Sequence, residues 1–266
     1  MTETKLFSGV VATYYDGKKT KLKEEYFVNA GKIEGVYKSY HINGQLWEEI
    51  NYIDGKKNGT QKLYYNNGKL NYETNYINDK RHGSQKIYYN NVFPIDNLNI
   101  VGQLKEESNY VDDKLCGIYK LYHKNYLLHI KVNYVDNEMD GNYNSFWSNG
   151  QLWEEVNYIN GKKEGIYKSY YRNGNLLEKV NYNNNKKNGI FQSYHKNGQL
   201  WEETKYINGI IDKDYKLYYD NGQLWAEANY YNGLRHGIYK SYDENGQLKE
   251  EINYVSGNAS VLAVNN

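Results

Sequence analysis

The sequence predicts an all-β protein: an elongated array of about ten 24-residue antiparallel β-hairpin repeats in a single curved or twisted sheet. Three observations carry this. A 24-residue period runs along the chain. Asn-Gly recurs at one fixed place in that period. The flanking segments are rich in Tyr, Trp, Ile and Val and lack helical spacing.

The period comes first, because it sets every other assignment. The segment from Gly35 to Tyr52 aligns without a gap with the segment from Gly165 to Tyr182. With the leading Gly as anchor, equivalent positions fall at 11, 35, 59, 83, 117, 141, 165, 189, 213 and 237. Eight of the nine steps are 24 residues. The step from 83 to 117 is longer by an insert at 92–101, which holds the only proline, Pro94. Val11 and Lys213 stand where the other anchors are Gly, and the repeat at 11 asks for a one-residue shift in its first half. Eleven residues after the anchor all ten repeats have Leu, and seventeen after it nine of ten have Tyr. The chain therefore divides into an N-terminal cap (1–10), tandem repeats (11–254) and a C-terminal cap or tail (255–266).

Seven repeats carry Asn-Gly between β-forming flanks, as at Asn43-Gly44 and Asn149-Gly150. A two-residue type I′ turn needs positive φ at both central residues, which Asn and Gly tolerate best, so each repeat reads as strand, turn, strand. A second turn such as Asp54-Gly55 leads to the next hairpin, giving about twenty strands. A two-residue turn would place Lys38 opposite Glu49 and Tyr40 opposite Trp47, with Tyr194–Trp201 and Tyr218–Trp225 repeating the second pair. Lys168 would face Lys179, and Lys120 would face Lys131, leaving these lysines to acids on the neighbouring repeat. Tyr37, His41, Leu46, Glu48 and Ile50 then share one face; Val36, Lys38, Tyr40, Trp47 and Glu49 share the other. The Leu column never admits a polar residue and is expected to be buried. The Trp column also accepts Lys and Asn and is expected to reach solvent.

Composition excludes several function classes. A net charge of +1 argues against a nucleic-acid binder, which needs a basic excess. No apolar run approaches the ~18–20 residues of a membrane helix, so no transmembrane segment is expected. No signal peptide is visible, and a cytoplasmic location is expected. The single cysteine, Cys116, allows no internal disulfide or cysteine-rich metal site.

The unit Gly-x-Tyr-Lys-x-Tyr-x-x-Asn-Gly-Gln-Leu-x-Glu-Glu-x-x-Tyr-x-x-Gly-Lys resembles the variant form of the MORN repeat, over roughly residues 11–254. The resemblance implies serial hairpins in an elongated sheet, and roles in scaffolding and protein–protein contact. Such arrays occur in AT-rich bacteria, where an antitoxin-like binding role is assigned to some, and in large DNA viruses.

The candidate sites follow from the columns. His41, His123 and His195 share one with several tyrosines and read as packing residues, not metal ligands. Glu-Glu pairs such as Glu48-Glu49 point to opposite faces and cannot act together as catalytic carboxylates. No catalytic residue, cofactor or metal is therefore expected, and the chain reads as no enzyme. Trp47, Trp153, Trp201 and Trp225, with Tyr40, Tyr194 and Tyr218, form the candidate binding surface, because Tyr and Trp are the usual interface anchors. The expected function is a repeat scaffold that binds another protein through this aromatic surface. A glycan-binding module, or a surface or virion structural role, is the alternative.

Overall fold

A computed structural model describes residues 6–90 and 102–260. The insert at 92–101 lies outside the described residues. Strands account for most of what is described, and no helix occurs among those residues. The chain divides into two compact halves, up to Glu138 and from Met139.

Each half contains five hairpins. In the first half, strand Gly9–Tyr14 pairs with Leu22–Asn29, Lys32–Tyr40 with Leu46–Ile53, Gly59–Tyr64 with Leu70–Ile77, Lys80–Tyr88 with Leu104–Val111, and Gly117–Tyr122 with Leu128–Val135. In the second half the pairs are Gly141–Phe146 with Leu152–Ile159, Lys162–Tyr170 with Leu176–Asn183, Gly189–Tyr194 with Leu200–Ile207, Ile210–Tyr218 with Leu224–Tyr231, and Gly237–Tyr242 with Leu248–Val255. Within each half successive hairpins pair edge to edge, so the strands make one continuous antiparallel ladder. Among the described residues the strands number twenty-six, not about twenty, because bulges cut off five short fragments such as Lys56–Lys57 and a further strand, Asn258–Ser260, pairs with Leu248–Val255.

The turns differ from expectation in an instructive way. The Asn-Gly tip is not a two-residue type I′ turn. His41 donates its N–H to Gln45 O at 2.7 Å, and Gly44 donates to His41 O at 2.8 Å. Asn43 keeps a negative φ, and only Gly44, at φ +85°, is left-handed. This is a three-residue loop, a type I turn followed by a left-handed glycine. The Asn is selected for its side chain: Asn43 Oδ1 accepts the Gln45 N–H at 3.1 Å. Type I′ geometry occurs instead between repeats, where Asp54 and Gly55 (φ +54° and +78°) or Asn160 and Gly161 (φ +48° and +72°) join consecutive hairpins.

The longer loop changes the register beside it. Lys38 pairs with Glu49 as expected, but a bulge between Ser39 and Tyr40 sets Tyr40 opposite Leu46. Tyr194 likewise faces Leu200, and Tyr218 faces Leu224, so the three expected Tyr–Trp pairs do not form. Lys168 does face Lys179, and it finds Glu155 of the preceding hairpin at 3.0 Å; Lys120 finds Glu107 at 2.9 Å. The first repeat is anchored at Gly9 rather than Val11. Its loop, closed by Tyr15 N–H to Lys21 O, is two residues longer than the others, a shift of two where the sequence suggested one.

One face of the ladder carries the core. In each half its most buried column lies fifteen residues after the anchor: Ile50, Thr74, Ser108 and Val132 in the first, Val156, Val180, Thr204 and Ala228 in the second. Over it lie ring pairs from the second and seventeenth positions. Tyr167 meets Tyr182 at 5.8 Å and 80°, and Phe191 meets Tyr206 at 6.0 Å and 79°, the edge-on arrangement that aromatic quadrupoles favour. Lysine and arginine stems close the cover: the Lys187 ammonium lies 4.3 Å from the Phe191 ring centre, and Lys163 lies 4.8 Å from that of Tyr167. Burial, with Glu154 close by, pushes the Tyr167 phenol well above its ordinary range. Small serines such as Ser39, Ser145, Ser169 and Ser193 sit buried beside these rings.

The Leu column is not this core. Leu46, Leu152, Leu176, Leu200 and Leu224 are half-buried, and Leu248 is exposed. Leu stands immediately after the loop, at the margin of the sheet, whereas the fifteenth position stands mid-strand with a neighbour on each side. Ile50→Ala should therefore cost ~2–5 kcal/mol, and Leu46→Ala clearly less, measured by denaturant unfolding.

The anchor residue adopts positive φ wherever the strand bulges toward the preceding hairpin: +77° at Gly35, +83° at Gly165, +92° at Gly237. Lys213 holds the same conformation at +69° with a side chain that disfavours it. Lys213→Gly should raise stability by roughly 0.5–1 kcal/mol, visible as a higher denaturation midpoint with an unchanged slope.

Candidate binding surface

The Trp column lies on the face opposite the core, next to the hairpin loops. Trp47, Trp201 and Trp225 are 48%, 41% and 41% exposed, and Trp153 is half-buried. Isoleucines one residue after the anchor add to the same face: Ile166, Ile190 and Ile238 are all exposed.

Each Trp has a ring beside it, though not the tyrosine expected. The bulge moves Tyr40 out of register and brings in the residue six after the anchor. His41 lies 6.3 Å from Trp47, His195 lies 6.1 Å from Trp201, and Tyr219 lies 5.9 Å from Trp225. Trp147 lies 4.8 Å from Trp153, and His123 stacks on His129 at 4.2 Å. The sequence puts His41 on the other face from Trp47; the loop geometry brings the two together. Burial, with the charge of His123 adding to it, holds the His129 imidazole below its usual range.

Tyr40 and Tyr194 are half-buried and hydrogen-bonded, and Tyr218 is half-buried at the matching position. The Tyr40 hydroxyl donates to Glu25 of the preceding hairpin, and Tyr170 makes the matching bond to Glu155 at 2.7 Å. Burial and the carboxylate partner push both phenols up to about 12. Burial alone would raise Glu155, but the Tyr170 hydroxyl and the Lys168 ammonium outweigh it and hold the carboxyl low. The Tyr194 hydroxyl donates to Gln192 at 3.1 Å.

The sixth-position ring has a second role that sequence reading missed. Its polar end reaches the next hairpin and donates to the backbone carbonyl of that hairpin's fifth-position residue. Tyr15 donates to Tyr40 O at 2.8 Å, Tyr65 to Tyr88 O at 2.9 Å, Tyr171 to Tyr194 O at 2.8 Å and Tyr219 to Tyr242 O at 2.9 Å. Trp147 does the same through Nε1 to Tyr170 O at 3.1 Å. His41 and His195 reach Tyr64 O and Tyr218 O through Nε2 at 2.9 Å, which assigns the proton to Nε2. The signal was in the column: Tyr, His and Trp share one property, a ring ending in an O–H or N–H. The loop Asn builds a parallel ladder. Asn43 Nδ2 donates to Asn66 O at 2.7 Å, Asn149 to Arg172 O at 3.0 Å and Asn197 to Asp220 O at 2.8 Å.

Clefts on this face follow the repeat. The groove lined by Asn142, Asn144, Glu155, Asn157 and Ile166 recurs three repeats later around Asp214, Lys216, Glu227, Asn229 and Ile238. One cleft stands apart: about 460 Å³ between Trp147, Trp153, Tyr171, Arg172, Leu177 and Lys196. The Arg172 guanidinium lies 6.0 Å from the Trp147 ring and donates to Ser148 Oγ at 2.6 Å. Glu48 pairs with Ser39 and Glu49 with Lys38, so adjacent carboxylates do not converge. Among the described residues no group of three or more His, Cys, Asp or Glu could hold a metal ion, and no helix is long and apolar enough to cross a membrane. Tyr171→Phe keeps the ring and removes only the bond to the next hairpin, leaving a carbonyl unpaired. It should cost ~1–3 kcal/mol in chemical denaturation, more than Tyr→Phe at an exposed site such as Tyr231.

No curated protein matches the chain. Among the solved chains to which it is similar is one in the crystal structure of TcdB2-TccC3-Cdc42, at 14% identity over 92% of this chain, with a TM-score of 0.21. The chain spans 14% of that chain's length, and a score so low carries no weight for fold or function. The family model for the MORN repeat variant matches residues 33–54, 57–78, 139–160, 163–184, 187–208, 211–232 and 235–256. Those seven matches cover more than half of the sequence and coincide with the hairpins described above, so the chain belongs to the MORN repeat variant family.

Proposed function

We infer that the chain is a non-enzymatic scaffold that holds another protein against its Trp-bearing face. The observation that carries this reading is the exposure of large rings in register: Trp47 in the first half, Trp201 and Trp225 in the second, each backed by a ring fixed to the next hairpin. Exposed indoles bring a solubility liability that a free surface has no need of, and they are the residues most often found at the energetic centre of interfaces. The rigid backing lowers the entropy lost on binding. A glycan is the second reading, favoured by the cleft at Trp147 and Trp153, where two indoles meet Arg172 and Asn173.

Trp201→Ala and Trp225→Ala should each weaken capture of a protein partner at least about tenfold, a loss typical of interface anchors, while shifting the unfolding midpoint little. Affinity purification from the native cell with wild-type and variant bait, read by mass spectrometry, checks this. Loss of a glycan-array signal in Trp153→Ala, with protein capture unchanged, would favour the second reading.

A further inference from the structure

The hairpin loops of the second half carry a charge pattern in which, among the described residues, the fold makes no ion pair, although the Arg172 guanidinium donates to Ser148 Oγ. Their eighth and ninth positions are always Asn and Gly, and their tenth is Gln or Asn. The seventh position runs Ser148, Arg172, Lys196, Asp220, Glu244, from neutral through positive to negative. The one other charged loop residue, Asp243, is turned onto its own loop, where its carboxylate accepts the N–H groups of Asn245 and Gln247. Arg172, Lys196, Asp220 and Glu244 are all exposed, and among the described residues none of them enters an ion pair. The charged rows beside them behave differently, since Lys168 is paired with Glu155 and Lys240 with Glu251.

Sorted charge along a straight row has a symmetry consequence. A two-fold axis passing between the loops of Lys196 and Asp220 maps the row onto itself with every sign opposed. Consecutive loops are two strands apart, about 10 Å, so four loops present a strip of roughly 30 Å. Beside that strip run Trp201 and Trp225, which the same axis interchanges, and the exposed Ile190 and Ile238.

We propose that this loop edge docks on the same edge of a second copy of the chain, antiparallel and two-fold symmetric. Arg172 then meets the partner's Glu244, Lys196 meets the partner's Asp220, and Trp201 packs near the partner's Trp225. The inference rests on the reading of the Trp face as a protein-binding surface and names its partner. An isologous contact requires one patch to be complementary to itself, and a sign-sorted strip meets that requirement where a uniformly charged one cannot. The rings supply the buried apolar area. The exposed ion pairs add little affinity each but set register and exclude the parallel arrangement, in which like charges would meet.

Sedimentation velocity on the full chain tests this. Wild type should be a dimer that weakens as salt is raised. R172E/K196E leaves an all-acidic strip and D220K/E244K an all-basic one; each alone should self-associate at least about tenfold more weakly. Mixed in equal amounts, the two should form a heterodimer, and the fourfold swap in one chain should restore the homodimer. Recovery in the mixture also shows that both variants are folded. Wild type that stays monomeric at hundred-micromolar concentration overturns the proposal, as do variants that dimerise like wild type or a mixture that does not associate. If wild type is monomeric while Trp201→Ala still abolishes capture of another protein, the second-copy inference falls and the scaffold reading stands.

Discussion

Each hairpin completes the hydrogen bonding of the one after it. The bulge ahead of every loop leaves the carbonyl of the fifth-position residue outside the ladder, and a ring from the preceding hairpin supplies the donor, as Tyr171 does for Tyr194 and Trp147 for Tyr170. An unpaired carbonyl beside packed rings is costly, so in hairpins that reach a next one this contact favours sixth-position side chains that are flat, long and tipped with a donor; Asp243, in the final hairpin described, binds its own loop instead. The restriction in turn gives every Trp of the twelfth position a ring to rest on. Register, loop spacing and the aromatic surface all descend from one carbonyl left over by one bulge.

The same contact explains how a sheet with a single well-buried face holds together. In each half the core face has a narrow buried column, Ile50 to Val132 in the first and Val156 to Ala228 in the second, covered in the second by edge-on ring pairs and the stems of Lys163, Lys187 and Arg235. Tyrosine suits this cover because its ring buries area while its hydroxyl finds a carboxylate, as Tyr167 does with Glu154 at 3.0 Å. Each hairpin buries its rings only against its neighbours, so stability is distributed along the ladder and not gathered in one centre. Nothing in that arrangement requires the Trp column, which stands on the other face.

The period was fully legible in the sequence, because ten aligned Leu and nine aligned Tyr leave little freedom in the assignment of strands. The Lys–Glu register was legible too: Lys38 opposite Glu49 and Lys240 opposite Glu251 follow from counting outward from the turn. The turn type was not. Asn-Gly suits a type I′ turn and equally a type I turn ending in a left-handed glycine, and the dipeptide alone does not separate them. The type I′ turns lie between repeats, at Asn160-Gly161 and also at Asn184-Asn185, where the absence of glycine masks them. One extra loop residue then decides which ring faces Trp47, so a small error at the turn became the wrong neighbour on the surface. The core column was obscured for another reason. It tolerates Ile, Val, Thr, Ser and Ala, because the covering tyrosines do the space filling, and a column so varied looks less buried than one that is always Leu.

Variation within a repeat protein is most informative where the fold is indifferent. In hairpins that reach a next one, the sixth position varies among Tyr, His and Trp within what its hydrogen bond allows, so that variation reports on structure. The seventh position bears no such common constraint: Ser148, Arg172, Lys196, Asp220 and Glu244 share no size, charge or donor pattern, and the bond that Arg172 makes is to the side chain of Ser148, not to the backbone of the next hairpin. From Arg172 to Glu244 the row is exposed, on loops whose backbone is already satisfied by Asn and Gly. Neutral residues would serve the fold equally well, and the Asn at the corresponding place in the first half, Asn66, shows that one is accepted. The hairpin itself does not account for charges sorted by sign along such a row. The rings that flank them are held rigid by the same inter-repeat bonds, so whatever meets the strip meets a surface whose spacing the backbone has already fixed.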